Sequence, residues 1–249
     1  MRLVLPKVNK FKNITQVLTK IVDVTPLFIN EMGVTIKSLS DDKTTMLVLR
    51  LPPEAFETVE FEEPLAFKVG TKELHRIARR GTRNDILELS VDRENRILKL
   101  EFRDRKTDIV RTFEVPISFE GVEELSEPKV DLPVRSEMLA SDFKDIISDA
   151  KLVGEELEML YKDNTIYVRL EGAGRSYEAV LRENEPLLSI SSTVDEARAK
   201  YGVDLLAATV RAASASTTMT LHFGTALPIR IAFEMPEVGT LVYWVAPRA

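Results

Sequence analysis

The 249-residue chain carries a formal charge of −6, with 44% hydrophobic and 30% charged residues. That is the composition of a globular protein of one large domain or two of about 125 residues. It contains no cysteine, which excludes disulfides, thiolate metal sites and a cysteine nucleophile. The negative balance argues against a surface that grips DNA all over, but leaves room for positive charge gathered on one face.

A short strand is expected at Leu3–Leu5, followed by a helix whose apolar face is Phe11, Ile14, Leu18 and Ile21, spaced i, i+3, i+7, i+10. Strand patterns follow at Leu27–Ile29, Val34–Leu39 and Thr45–Leu51. Phe67–Val69 leads through Gly70 into a second helix, Thr71–Arg80, where Leu74, Ile77 and Ala78 share a face. Three more strands are expected at Ile86–Val91, Ile97–Phe102 and Ile109–Val115. The alternation of Leu98, Leu100 and Phe102 with Lys99 and Glu101 is that of a half-buried strand.

The order then repeats. An offset of 132 carries Phe11-Lys12 to Phe143-Lys144, Val34 to Ile166, Gly70 to Gly202, Leu74 to Leu206, Arg79 to Arg211 and Leu89 to Leu221. Between the copies, SFEGVEELSEPKV is acidic, without period, and holds Pro128, as a linker would. The fold class expected is α+β: two similar domains of antiparallel sheet with two helices each, at residues 1–117 and 133–249, joined by a connecting loop at 118–132.

The second helix presents Lys72, Arg76, Arg79 and Arg80 opposite its apolar face, with Arg83 just beyond. Arg76, Arg79, Arg80 and Arg83 fall at i, i+3, i+4, i+7, one polar stripe. Two readings are open: sequence-blind phosphate contact, or a solvated face with cations placed favourably at a helix C-terminus. Lys10, Lys12 and Lys20 add charge more thinly on the first helix, and Arg211 repeats Arg79. The helix Ser141–Ala150 departs from this, with Asp142, Asp145 and Asp149 around Lys144.

An enzyme would need a site. His75 and His222 have no identifiable partner for a triad or metal cluster, and Gly172-Ala173-Gly174 precedes a strand pattern rather than a helix, so it fails the dinucleotide test. The acid pairs Asp41-Asp42, Glu123-Glu124 and Glu155-Glu156 read most simply as solvated surface. No catalytic residue, cofactor or metal is expected. An acid-using hydrolase on a similar scaffold is the reading from another class.

The C-terminal run LHFGTALPIRIAFEMPEVGTLVYWVAPRA, with its Phe223-Gly224-x-x-x-Pro228 turn and terminal Ala246-Pro247-Arg248, resembles the C-terminus of the proliferating-cell-nuclear-antigen (PCNA) family of DNA sliding clamps of archaea and eukaryotes. EMGVTIKSLSDDKTTMLVLRLP resembles the first-domain strands of that family, and LSEPKVDLPV its connecting loop. The resemblance implies a non-catalytic processivity factor: a trimeric ring that encircles duplex DNA without regard to sequence. A clamp loader opens such a ring, and DNA polymerase, flap nuclease and DNA ligase dock on it through PIP-box motifs. It implies that Lys10, Lys12, Lys20, Arg76, Arg79, Arg80, Arg83, Lys144 and Arg211 face DNA. It places the partner-peptide pocket at Leu39, Ser40, Leu125, Pro128, Pro228, Tyr243, Trp244, Val245, Ala246 and Pro247. Subunit contacts are implied at Ile109, Arg111, Phe113, Arg175, Tyr177, Glu178 and Val180, on the strands Asp108–Val115 and Arg175–Leu181. TLVYWVAPRA and KLVGEE resemble one paralogue of a crenarchaeal heterotrimer more than a homotrimer subunit. The homotrimer is the alternative. No apolar run approaches the about 18 residues that cross a bilayer, and MRLVLPKVNK lacks a signal-peptide core. A cytoplasmic, nucleoid-associated protein with no membrane partner is therefore expected.

Overall fold

The computed structural model describes residues 1–19, 22–210 and 216–248. The first half runs β1 (Arg2–Leu5), α1 (Val8–Leu18), β2 (Val24–Asn30), β3 (Gly33–Leu39), β4 (Thr45–Leu51), β5 (Thr58–Glu60), β6 (Leu65–Gly70), α2 (Thr71–Ala78), β7 (Asp85–Asp92), β8 (Ile97–Asp104) and β9 (Val110–Ser118). The second runs β10 (Val134–Leu139), α3 (Ala140–Ala150), β11 (Glu156–Lys162), β12 (Thr165–Gly172), β13 (Arg175–Glu183), β14 (Pro186–Ser192), β15 (Glu196–Gly202), α4 (Val203–Thr209), β16 (Thr218–Phe223), β17 (Ile229–Met235) and β18 (Gly239–Val245). Residues 122–133 hold neither helix nor strand.

Pairing repeats along with element order. In the first half β1 lies between β5 and β7, β2 between β3 and β6, and β7 pairs with β8, all antiparallel. In the second half β10 lies between β14 and β16, β11 between β12 and β15, and β16 pairs with β17, again antiparallel. The chain divides into two compact units. The first is Met1–Leu39, Val48–Ser126 and Pro236–Gly239, and the second is Ser40–Leu47, Glu127–Met235 and Thr240–Ala249. The α+β class, with two antiparallel-sheet domains of two helices each, is therefore the observed one.

Each unit has its own core. In the first, α1 buries Val8, Phe11, Ile14, Val17 and Leu18, and α2 buries Leu74, Ile77 and Ala78. They pack with Phe67 and Phe102, both fully buried. Ile21, expected on the same face of α1, lies outside the described residues. In the second, Phe143 of α3 meets Phe233 edge-on, with ring centres 6.5 Å apart, and Phe233 meets Tyr243 at 6.3 Å. Each such side chain withdrawn from water contributes about 1.5–3 kcal/mol.

The two helices of the first unit are fixed by polar contacts as well as by packing. Thr15 Oγ1 and His75 Nδ1 share a hydrogen bond of 3.0 Å between α1 and α2. Thr25 and Thr71 hydroxyls bond at 2.8 Å in a buried position, holding the start of α2 to β2. The end of α2 is tight because Gly81 follows it. A Cβ there would fall 2.1 Å from Val8 Cγ1 and 2.9 Å from Phe102 Cε1. Neither neighbour can retreat without disturbing the core, so Gly81→Ala should lower stability by about 1–3 kcal/mol through overpacking. Denaturant unfolding of the two proteins checks this, and an unchanged midpoint would contradict it.

Candidate functional site

The polar stripe is shorter as helix than its spacing suggests. The helix α2 closes at Ala78, where Arg80 N–H bonds to Ile77 C=O at 2.8 Å and Gly81 N–H to Ala78 C=O at 3.1 Å. Arg79 caps it, and Arg83 stands in the following turn rather than on a continued helix. All four arginines are exposed. Arg76 is engaged by Glu73 on its own helix at 2.6 Å, and that hydrogen bond raises the guanidinium pKa. Arg79, Arg80 and Arg83 make no ion pair with any described residue, so their charge is available to an outside anion. Lys72 pairs with Asp23 at 2.7 Å.

Lys10 is not available in the same way. Its ammonium donates to Glu237 Oε2 at 2.9 Å and to the Pro236 carbonyl at 2.8 Å. Lys7 reaches the same carboxylate at 2.5 Å. These two lysines hold Glu237 down at about 2. Lys12 is half-buried and makes no ion pair among the described residues. Lys20 and Arg211 lie outside the described residues.

In the second unit Lys144 is exposed on α3 beside Asp142, Asp145 and Asp149. Asp204 opens α4 and takes Lys151 at 3.1 Å. Among the described residues, the helices of this unit therefore lack the positive surface of α2.

The expected peptide pocket needs correction at its aromatic strand. Tyr243 and Val245 are fully buried, and Trp244 is 7% exposed. Both faces of β18 are covered from Leu241 to Val245, so these side chains are core and do not line an open pocket. The Trp244 indole N–H donates to Glu127 Oε2 at 3.1 Å, holding the start of the second unit's main segment. Partly exposed in that unit are Ser40, Pro128, Pro228, Ala246 and Pro247. Ala246 N–H bonds to Thr44 C=O at 2.8 Å, and Ser40 Oγ to Asp42 at 2.6 Å. Leu39 and Leu125 belong to the first unit.

Among the described residues, β9 and β13 keep one edge bare along most of their length. Along its length β9 pairs with β8, but on its other side only Ile117 and Ser118 meet β6. In the same manner β13 pairs with β12, and on its other side only Arg182 and Glu183 meet β14. Among the described residues, Val110–Pro116 and Arg175–Leu181 thus present unpaired backbone. Of the side chains expected there, Ile109 is 58% exposed. Phe113 packs edge-on against Phe102 at 5.8 Å. Tyr177 and Val180 are half-buried.

Three charged members are also engaged within the chain. Arg111 reaches Asp85, Glu178 takes Arg169 at 2.5 Å, and Arg175 donates to the Leu152 carbonyl at 3.2 Å. Val110, inside the strand expected at the edge, is 45% exposed, and Leu152, which sequence reasoning did not place at an edge, is 71% exposed beside β13. A large apolar residue in a polar loop, such as Leu152 in KLVGEE, was the available signal.

His222 sits across from Arg135 on β10 and Arg230 on β17. Burial, then Arg230 and Arg135, push its pKa from 6.5 down to about 4. The neutral ring therefore supports the fold fully above pH 6.5, and that support is lost as pH falls towards 4. His222→Gln should flatten the stability profile across this interval, and NMR titration of the wild-type ring should give a midpoint well below 6. A midpoint near 6.5 would contradict the assignment. Among the described residues, no group of three His, Asp or Glu is placed to hold a metal ion, and no helix is long and apolar enough to cross a membrane.

Comparison with known proteins agrees with this layout. A family model described as the N-terminal domain of proliferating cell nuclear antigen matches residues 3–123. DNA polymerase sliding clamp 2 of Sulfurisphaera tokodaii is 29% identical over 96% of this chain and 95% of its own length. DNA polymerase sliding clamp 1 of Saccharolobus solfataricus is 26% identical over 99% of both. Among solved structures, PCNA from Thermococcus kodakaraensis superposes with a TM-score of 0.91 at 21% identity, covering 99% of each chain. A chain of the PCNA2–PCNA3 complex from Sulfolobus tokodaii gives 0.88 at 23% identity, covering 100% of this chain and 99% of its own.

Proposed function

We propose that the chain belongs to the proliferating-cell-nuclear-antigen family and is one subunit of a ring-shaped sliding clamp that encircles duplex DNA and holds replication enzymes to it. The observation that carries this reading is the pair of bare strand edges on a duplicated fold. The edges Val110–Pro116 and Arg175–Leu181 differ in sequence. A contact between unlike edges is head-to-tail, and head-to-tail contacts that close generate rings. Closure also removes edges that would otherwise recruit foreign strands.

In such a ring the exposed Arg79, Arg80 and Arg83, with Arg76, face the DNA and meet phosphates without reading bases. Topological linkage makes tight grip unnecessary, which suits a chain of charge −6. The acidic surface of α3 favours assembly with sister chains that supply positive charge, over three identical copies. Partner enzymes, among them polymerase, flap nuclease and ligase, reach the second unit over Ser40, Pro128, Pro228, Ala246 and Pro247 through PIP-box peptides. The clamp itself turns over no substrate, and it works where the DNA is, in the nucleoid.

The test is loading onto circular primed DNA by a clamp loader, across a salt series, with polymerase stimulation as readout. Arg76→Glu with Arg79→Glu should reduce loading and stimulation most at low salt, where phosphate attraction is least screened. Binding of a PIP-box peptide should be unaffected. Unchanged loading and stimulation at every salt concentration would contradict the assignment of α2 to the DNA.

A further inference from the structure

We infer that Asp85 and Arg111 are positioning residues that set the arginine turn at the end of α2 and tie it to the bare edge strand β9. The inference rests on the reading of that turn as DNA-facing. Arg79, Arg80 and Arg83 stand on residues 79–84, which form neither helix nor strand. A segment of this kind holds its side chains in place only if its backbone groups are fixed from outside.

Asp85 supplies one anchor. It opens β7, where it is registered against Asp104 of β8, and its side chain is fully buried. Its Oδ2 accepts the Thr82 backbone N–H at 2.6 Å. Thr82 C=O accepts the Asp85 N–H at 3.2 Å, closing the turn on itself. A carboxylate so far from water needs a cation, because desolvation penalises it heavily when alone.

Arg111 is that cation. Its Nη2 donates to Asp85 Oδ2 at 2.5 Å, and its Nη1 donates to the Arg80 carbonyl at 3.1 Å. One guanidinium thus holds both sides of the turn. The plane lies over the Phe102 ring, 5.7 Å from its centre, directly across the β8–β9 register. A planar fork with two donor arms is required here, and lysine, a single point charge, cannot reproduce it. Gly81 completes the arrangement by letting the turn press against Val8 and Phe102.

The Cα of Arg111 lies in the unpaired stretch of β9, within the edge offered to a neighbouring subunit. Any neighbour that pairs with this edge fixes the backbone from which the guanidinium reaches. Subunit pairing and the setting of the DNA-facing arginines therefore share one side chain.

The test uses the full chain with the subunits it assembles with, and three variants: Arg111→Met, Arg111→Lys and Asp85→Asn. Amide hydrogen exchange over residues 79–84 should speed up at least tenfold in Arg111→Met, with β16 and β17 unchanged. In Arg111→Lys it should lie between wild type and Met. Retention on nicked circular DNA should show a shallower salt dependence in Arg111→Met, approaching that of the Arg76→Glu, Arg79→Glu protein. If Asp85→Asn does not fold, the two Arg111 variants decide the matter.

Wild-type exchange in residues 79–84 of Arg111→Met would overturn the inference. So would wild-type salt dependence in that variant while the charge reversals impair retention. If exchange speeds up but neither Arg111→Met nor the reversals alter retention, the positioning role stands and the DNA-facing reading fails.

Discussion

A β-strand with one side unpaired leaves a row of N–H and C=O groups that must be satisfied by something. Among the described residues, that constraint falls on β9 in the first unit and β13 in the second, along most of their length. Most soluble proteins blunt such edges with prolines, inward charges or bulges. Here Pro116 blunts only one end of the β9 edge, and at its other end Ile109 and Val110 are exposed and apolar, with Thr112 and Glu114 exposed between. The edges have the character of surfaces kept for a partner, and the rest of the design follows. Duplication gives each unit such an edge, and the charge that matters is carried at the end of a helix.

The balance of charge is local rather than global. The sequence is acidic overall, yet among the described residues Arg79, Arg80 and Arg83 make no ion pair while Lys10 is neutralised by Glu237. Exposed ion pairs of this kind add little stability. Their effect is to decide which cations remain open to an outside anion. The Asp85–Arg111 pair is different in kind, because its carboxylate is fully buried and breaking the pair would strand that charge in the interior.

Much of this was legible in the sequence because it rests on short-range periodicity. The alternation of Leu98, Leu100 and Phe102 locates β8, the spacing of Phe11, Ile14 and Leu18 locates α1, and the offset of 132 foretells the repeated pairing. What was not legible depends on contacts distant in sequence. Glu237 lies 227 residues from Lys10, and no local pattern connects them. Asp85 looks like a loop acid, and its burial appears only when β7, β9 and the turn are assembled. The family resemblance, and not the aromatic run itself, places Tyr243 and Trp244 in an apolar pocket. Their side chains are core because both faces of β18 are covered, a condition that one strand's sequence cannot report. The three-residue β5 is too short to alternate.

The central claim is that β9 and β13 are closed by neighbours. Amide hydrogen exchange of Val110–Glu114 and Arg175–Val180 tests it most directly, comparing the isolated chain with the assembled clamp. The amides that do not bond to β8 or β12 should exchange quickly in the isolated chain and become strongly protected, at both edges, on assembly. Equal exchange in the two states at either edge would contradict the account.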